Sequence, residues 1–284
     1  MIQIEKFAQN HAANFGEFLD HHTSSEASQV AQSVRSVVLE DVGSTNTEAF
    51  KRAEAGERGP LWIAARRQTQ GRGRSGRRWN SEPGNLYASL LQTIRCPKPA
   101  VAQVSLLAGV AVIDAIGAAA AGVRIAGLRL KWPNDVLIGT AKCAGILPES
   151  IGKADGTEVT IVIGIGINLA WHPTDIERAA THLDAHGVEV TFDAMLEALA
   201  TSMQGWLDAW QGGAGFARVR AAWLERAGPI GEAAEVNTGT ERIRGTFLGL
   251  APDGALLLRD VHGLQRTITY GDVTIAEPAH EENR

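Results

Sequence analysis

Short apolar runs, broken by glycine, proline and charged residues, recur from residue 37 onward and read as strands. Residues 37–40, 61–65 and 85–94 are the first three; 128–132, 136–138, 144–149 and 157–169 complete a largely buried mixed sheet. A helix is expected over 47–54, after Ser44-Thr45-Asn46, and two more over 193–211 and 216–226, where apolar residues recur every three or four positions. Residues 101–122 are the longest apolar tract, interrupted by Gln103, Ser105 and Asp114. Val104, Leu107, Val112 and Ile116 fall largely on one side at helical spacing, and the many small residues suit packing on a sheet, so the tract reads as a buried core helix rather than a membrane span. Beyond Gly228-Pro229, residues 235–250, 255–260 and 264–275 read as short strands, with turns at Pro252-Asp253-Gly254 and His262-Gly263, which suits a small antiparallel barrel. Residues 1–36 are polar, with His11, His21 and His22, and are expected to be a poorly defined extension. The pattern thus gives an α/β (α+β) domain over 37–228, a small all-β domain over 229–278 and a tail over 279–284.

A chain of 284 residues with 44% hydrophobic content can bury one full core and a second small one. Its formal charge of −5 gives no general attraction to nucleic acid. Cys96 and Cys143 form no metal-type or redox-type pair, and Glu5, Glu17 and Asp20 sit where a secretory signal would carry basic and then apolar residues. A cytoplasmic protein without a membrane partner is the expectation.

Charge changes the picture in one place. Six arginines lie between Arg66 and Arg78 with no carboxylate among them, a local reversal that calls for an anionic ligand. Gly71, Gly73 and Gly76 keep that backbone thin, so phosphate or carboxylate oxygens can approach amide N–H groups while guanidinium forks bind them. The three glycines also fit G-x-G-x-x-G, but the residues after them form a loop with a turn at Pro83-Gly84, not a helix, which excludes the dinucleotide-binding reading. His182 and His186 stand four apart, yet no carboxylate or cysteine completes a metal site and Gly187 suggests a helix end.

Five motifs stand in order: Gly43-Ser44-Thr45-Asn46, the run from Gly71 to Trp79, Lys131-Trp132-Pro133-Asn134-Asp135, Lys142-Cys143-Ala144-Gly145-Ile146-Leu147 and Gly164-Ile165-Gly166-Ile167-Asn168-Leu169. In order and spacing they resemble the biotin protein ligase family, from about residue 37 to residue 275. The resemblance implies a class II aminoacyl-tRNA synthetase-like catalytic domain with a mixed sheet, followed by a C-terminal SH3-like β-barrel. It implies that biotin and ATP are substrates, joined as biotinyl-5′-AMP with loss of pyrophosphate. The biotinyl group then passes to a lysine of the biotin carboxyl carrier protein of acetyl-CoA carboxylase. Mg²⁺ accompanies ATP, and a homodimer is expected.

Carried over by residue, the resemblance makes Lys142 and Arg74 catalytic. It places Ser44, Thr45, Asn46, Gln68, Arg72, Gly73, Arg74, Lys142 and Gly145 around biotin, and Arg74, Trp79, Lys131, Asn134, Asp135 and Asn168 around ATP and the adenylate. Asn134 and Asp135 are the protein groups that could reach Mg²⁺, and Gly164 and Gly166 belong to the pocket wall. The chemistry is coherent, because attack of a carboxylate on a phosphate brings two anions together and needs cations placed for the transition state. Each residue also has a plainer reading: a solvated lysine at 142, an N-cap at 44–46, a core indole at 79, a turn at 134–135. Pro148 replaces an aliphatic residue usual in the family's strand and puts that ladder in question.

Three rival functions are weighed. Lipoate or octanoyl ligases and transferases lack the arginine loop. A biotin-responsive DNA-binding repressor needs a winged helix-turn-helix, for which the roughly 36 residues before the first strand are too few and too acidic, so no DNA partner is expected. A non-catalytic biotin binder is disfavoured by intact Lys142, Arg74 and Asp135.

Overall fold

The computed structural model describes residues 35–152, 158–176 and 178–275; the N-terminal extension up to residue 34 and the tail over 279–284 lie outside the described residues. Seven strands build the larger sheet: β1 (Ser36–Val42), β2 (Leu61–Gln68), β3 (Leu86–Arg95), β4 (Leu128–Lys131), β5 (Asp135–Ile138), β6 (Ala141–Gly152) and β7 (Glu158–Ile167). Their order is β1-β2-β3-β7-β6-β5-β4, parallel between β1 and β2 and antiparallel elsewhere, the mixed sheet that the sequence predicts. The apolar run of β7 is buried on both faces, as a strand covered from both sides requires.

Helix α1 (Thr45–Glu54) covers one face through Ala49, which packs with Leu61, Ile63, Leu91 and Val162. Its start is two residues earlier than the sequence suggests. Ser44 makes no side-chain cap; the Thr45 amide instead donates to Gln68 Oε1 at 2.8 Å, so a strand residue satisfies the first turn. The other face is covered by α2 (Val104–Ala119), α3 (Phe192–Trp210) and α4 (Phe216–Glu225). The stretch Lys98–Ala119 is apolar and long enough to cross a membrane, but it lies between the sheet and two helices, with its most apolar 18-residue window 72% buried. Asp114, which breaks that tract, is held at its edge by Trp206 Nε1 and Arg226 Nη2, both at 2.8 Å.

Pro148 is accommodated without breaking β6. The strand pairs with β7 from Ala144 to Gly152, while β5 reaches only as far as Gly145, so Pro148 sits where the ladder is one-sided and a missing N–H costs least.

The C-terminal part is a five-stranded antiparallel sheet of β8 (Ala233–Asn237), β9 (Arg242–Leu250), β10 (Leu256–Asp260), β11 (Gln265–Ile268) and β12 (Asp272–Ile275), in the order β11-β10-β9-β8-β12. The expected barrel does not close, because β11 and β12 occupy opposite edges and do not pair. Carbonyls beside and within β12 are engaged differently: Gly271 O accepts from Arg74 Nη2 at 3.0 Å and Val273 O from Lys131 Nζ at 3.1 Å. Trp132 Nε1 donates to Gly254 O at 3.2 Å and Arg129 pairs with Glu232 at 2.5 Å, so the two sheets are joined by polar contacts around one turn of the larger sheet.

Leu107 is fully buried between α2 and the sheet. Leu107→Ala should therefore lower unfolding free energy by about 2–5 kcal/mol, read as a lower denaturation midpoint at unchanged slope. A loss below about 1 kcal/mol would show that α2 is not packed as described.

Candidate active site

The glycines of β6 and β7 decide where the site lies. Gly145 pairs with Gly166 across the ladder, and a Cβ on Gly166 would lie 2.6 Å from the Trp79 indole. Bare backbone therefore lets the Trp79 ring rest on the sheet, while Gly164 admits the Asn46 amide in the same way. Around them opens a cavity of about 430 Å³.

One end is neutral and tightly bonded. Gln68 Oε1 accepts from the Thr45 amide and hydroxyl at 2.8 and 3.1 Å, and Gln68 Nε2 donates to Ser81 at 3.0 Å. Ser89 joins Thr45 Oγ1 at 2.7 Å and Asn46 Oδ1 at 2.6 Å. Asn46 Nδ2 donates to Glu149 at 2.6 Å, and Glu149 also pairs with Arg72 at 2.9 Å. Arg72 in turn donates to Ser44 Oγ at 3.2 Å and Thr47 Oγ1 at 2.8 Å. Ser44–Asn46 are thus buried parts of a network, not an N-cap.

The arginine loop is a small hairpin. Gly73 N donates to Arg77 O at 2.7 Å and Trp79 N to Gly71 O at 3.0 Å, with the left-handed turn at Ser75 (φ 55°) and Gly76 (φ 71°). Arg74 points from it toward the C-terminal sheet, donating to Asn134 Oδ1 at 3.2 Å and lying 3.6 Å from Asp272. Arg77 pairs with the same carboxylate at 2.8 Å.

At the centre Asp135, only 5% exposed, stands between Lys142 at 2.5 Å and Lys131 at 2.8 Å. Burial alone would raise its pKa, but the ammonium groups of Lys142 and then Lys131 outweigh it and hold the carboxyl well below the usual range. Burial lowers the Lys142 pKa, and the Asp135 carboxylate opposes that effect. The Lys142 ammonium also lies 5.2 Å from the Trp79 ring centroid.

The segment after β7 closes the remaining side. Asn85 Oδ1 takes the Leu169 and Ala170 amides at 2.8 and 3.2 Å, and Asn168 Nδ2 donates to Thr181 O at 2.9 Å. Lys142 N donates to Ala179 O at 2.8 Å and Thr181 N to Lys142 O at 2.9 Å, so Pro173, Asp175, Ile176 and Arg178 line the cavity. His172 and His182 face each other across the base of this segment, Nδ1 to Nδ1 at 2.7 Å, while His186 bonds Thr181 Oγ1 at 2.8 Å. The two histidines spaced four apart therefore turn to different partners.

Of the residues predicted for the site, Ser44, Thr45, Asn46, Gln68, Arg72, Gly73, Arg74, Trp79, Asn134, Asp135, Lys142, Gly145 and Asn168 all line this cavity. Lys131 does not; its ammonium is held behind the cavity by Asp135 and Val273 O. The Asn168 side chain is spent on Thr181 and Asn85 rather than presented to a nucleotide. Asp135 has both oxygens on lysines, and Asn134 has Oδ1 on Arg74 and Nδ2 on Ile146 O at 2.7 Å, so this arrangement does not fit a direct protein-held Mg²⁺. Sequence reasoning missed Glu149, Ser89, Asp272 and Arg178. Only Glu149 carried a signal, as a charge inside an apolar strand.

Residues 38–168 match the model of the biotin/lipoate A/B protein ligase family, and residues 230–275 that of the biotin protein ligase C-terminal domain. The biotin–[acetyl-CoA-carboxylase] ligase of Paracoccus denitrificans is 40% identical over 80% of this chain and 95% of its own length. The chain belongs to the biotin protein ligase family. The biotin protein ligase of Aquifex aeolicus, solved in complex with biotin and ATP, is similar to this member with a TM-score of 0.70 and 25% identity, over 85% of this chain and 99% of that one. A bifunctional ligase/repressor of Bacillus spizizenii is 31% identical over 81% of this chain and 71% of its own length.

The histidine pair gives this ligase-family chain a pH response. Burial and then His172 lower the His182 pKa, against an opposing pull from Asp184 and with a further push from His186. The unfolded chain therefore binds that proton more tightly, and stability falls as pH drops through about 6.5 toward the folded value. His182→Asn should flatten the decline in melting temperature between about pH 7.5 and about pH 5.5. An unchanged slope would assign the decline to other groups.

Proposed function

We propose that this chain joins biotin to ATP as biotinyl-5′-AMP and passes the biotinyl group to a lysine of the biotin carboxyl carrier protein of acetyl-CoA carboxylase. The observation that carries the reading is one continuous cavity with a neutral polar end at Ser44–Asn46, Trp79 on its floor, and between them Lys142 held against Asp135. Family membership and the name of the Paracoccus denitrificans relative support the same substrates. The lipoate reading is less well supported, since the C-terminal match is to the biotin ligase domain and the arginine loop is present.

In the first step an oxygen of the biotin carboxylate attacks the α-phosphorus, and the bond to the bridging oxygen breaks with its electron pair leaving on pyrophosphate. Lys142 is the compact cation placed to draw the two anions together, and Asp135 keeps it charged inside a partly buried wall. The Ser44–Gln68–Ser89–Asn46 network presents fixed donors and acceptors to the ureido end, so little ordering is left for binding. Arg74 holds the arginine loop to Asn134 and Gly271 O, which closes the mixed anhydride off from water. In the second step the acceptor amine attacks the biotinyl carbonyl and AMP leaves. Asp135 and Asn134 are engaged by protein partners, so any Mg²⁺ would be held by the ATP phosphates and would supply charge neutralisation there. This reading takes 37–228 as the catalytic domain and 229–278 as its C-terminal companion, with a cytoplasmic location and a homodimeric assembly, and with no DNA partner.

Exchange of labelled pyrophosphate into ATP that depends on biotin tests the first step without an acceptor; exchange indifferent to biotin would reject it. Lys142→Ala should cut that exchange by about 10²–10³, the worth of roughly 2.7–4 kcal/mol in the transition state, with the fold retained. Lys142→Arg should restore little, because a planar fork does not replace a compact ammonium. Unchanged exchange in Lys142→Ala would remove Lys142 from the reaction.

Arg74→Gly removes the loop's contacts to Asn134 and Gly271 O and adds backbone freedom. Adenylate should still form but escape, labelling lysines of a bystander protein with biotin. A bystander that stays unlabelled while adenylate is made would show that Arg74 is not the latch.

A further inference from the structure

The cations lining the cavity divide into two groups. Arg72, Arg74, Arg77 and Lys142 each lie within 4 Å of a carboxylate: Glu149, Asp272, Asp272 and Asp135 respectively. Their charge is largely spent on building the wall. Arg78 and Arg178 also line the cavity, and among the described residues neither guanidinium makes an ion pair or hydrogen bond; of the two, Arg178 lies on the segment bridged to the strand that carries Lys142. An uncommitted guanidinium at the rim of a cavity is available to a polyanion at no cost in broken pairs.

Its placement is not left to an unattached loop. Ala179, the next residue, accepts the Lys142 amide, and Thr181 donates back to the Lys142 carbonyl, so the Arg178 backbone is stitched beside the strand that carries Lys142. Its charge reaches both sides of the cavity, lowering the proton affinity of Lys142 on β6 and of Asp272 on the C-terminal sheet. Arg178 thus lines the same cavity as the arginine hairpin, two residues before the position bridged to Lys142.

We propose that Arg178 binds the β- and γ-phosphates of ATP and receives them as the departing pyrophosphate. The proposal rests on the adenylation reading above and deepens it. Transfer of the adenylyl group to the biotin carboxylate leaves biotinyl-5′-AMP near Lys142 and Trp79 and releases pyrophosphate, and only the second is the concern of Arg178. The acceptor half-reaction, which starts from biotinyl-5′-AMP and carries no pyrophosphate, does not need it.

Arg178→Gln keeps an exposed polar side chain, shorter and with fewer donors, and removes its charge. The expected result is that KM for pyrophosphate and for ATP in the exchange reaction each rise about tenfold or more, as loss of a charge-assisted phosphate contact implies. KM for biotin and the rate of biotin transfer from pre-formed biotinyl-5′-AMP to the carrier domain stay unchanged, and Arg178→Lys recovers most of the pyrophosphate affinity. The proposal is overturned if KM for ATP and pyrophosphate stay within about twofold of wild type, or if transfer from pre-formed adenylate falls in parallel, which would make Arg178 a support for the segment. Wild-type protein that shows no biotin-dependent exchange would sink the adenylation reading, and the role of Arg178 with it. Normal wild-type exchange with unaltered variants would sink the Arg178 proposal alone.

Discussion

A carboxylate buried as deeply as Asp135 stays ionised only if its charge is compensated on the spot, and here two lysines compensate it, one on each oxygen. Removing either partner would leave a buried charge short of its counter-ion, a loss that in other proteins costs about 3–5 kcal/mol. The two lysines face different ways. Lys131 reaches back to Val273 O and ties the C-terminal sheet to the catalytic one, while Lys142 opens into the cavity. Neighbouring Asn134 holds Arg74 on one side and Ile146 O on the other. One short turn between β4 and β5 therefore sets the inter-sheet contact, the counter-charge of Lys142 and the anchor of the arginine loop.

The same economy governs the arginines. A loop rich in arginine with no internal carboxylate should repel itself, yet Glu149 and Asp272, from strands far apart in the chain, neutralise it at either end. Those pairs fix Arg72 toward the neutral end of the cavity and Arg74 and Arg77 toward the C-terminal sheet. An entering polyanion thus meets a wall already shaped, with its unpaired charge at the rim.

Much of this was legible in the chain. Alternating apolar runs gave the mixed sheet, the small-residue tract gave the core helix α2, and the five ordered motifs gathered the cavity's residues. What could not be read were the pairings made by chain crossing. Glu149 and Asp272 become site residues only because β6 and β12 pass the arginine hairpin, and no local pattern records that. Lys131 matched its motif but does not line the cavity: it stands opposite Asp135 in the β4–β5 pair, and its ammonium is taken up by Asp135 and Val273 O. The barrel was expected from strand count and turn spacing; whether it closes depends on edge partners, and carbonyls at β12 are engaged by Arg74 and Lys131. Ser44–Asn46 line the cavity, and the plainer N-cap reading does not hold: the first-turn amide of Thr45 is taken by Gln68 instead.

The claim on which the account turns is that Asp135 keeps Lys142 charged. It is tested most directly by the pH profile of biotin-dependent pyrophosphate exchange in wild type and in Asp135→Asn. Without the carboxylate, burial acts on Lys142 unopposed, so its pKa falls and the alkaline limb of the profile should move to lower pH. An alkaline limb that stays in place in Asp135→Asn, whatever the change in rate, would contradict it.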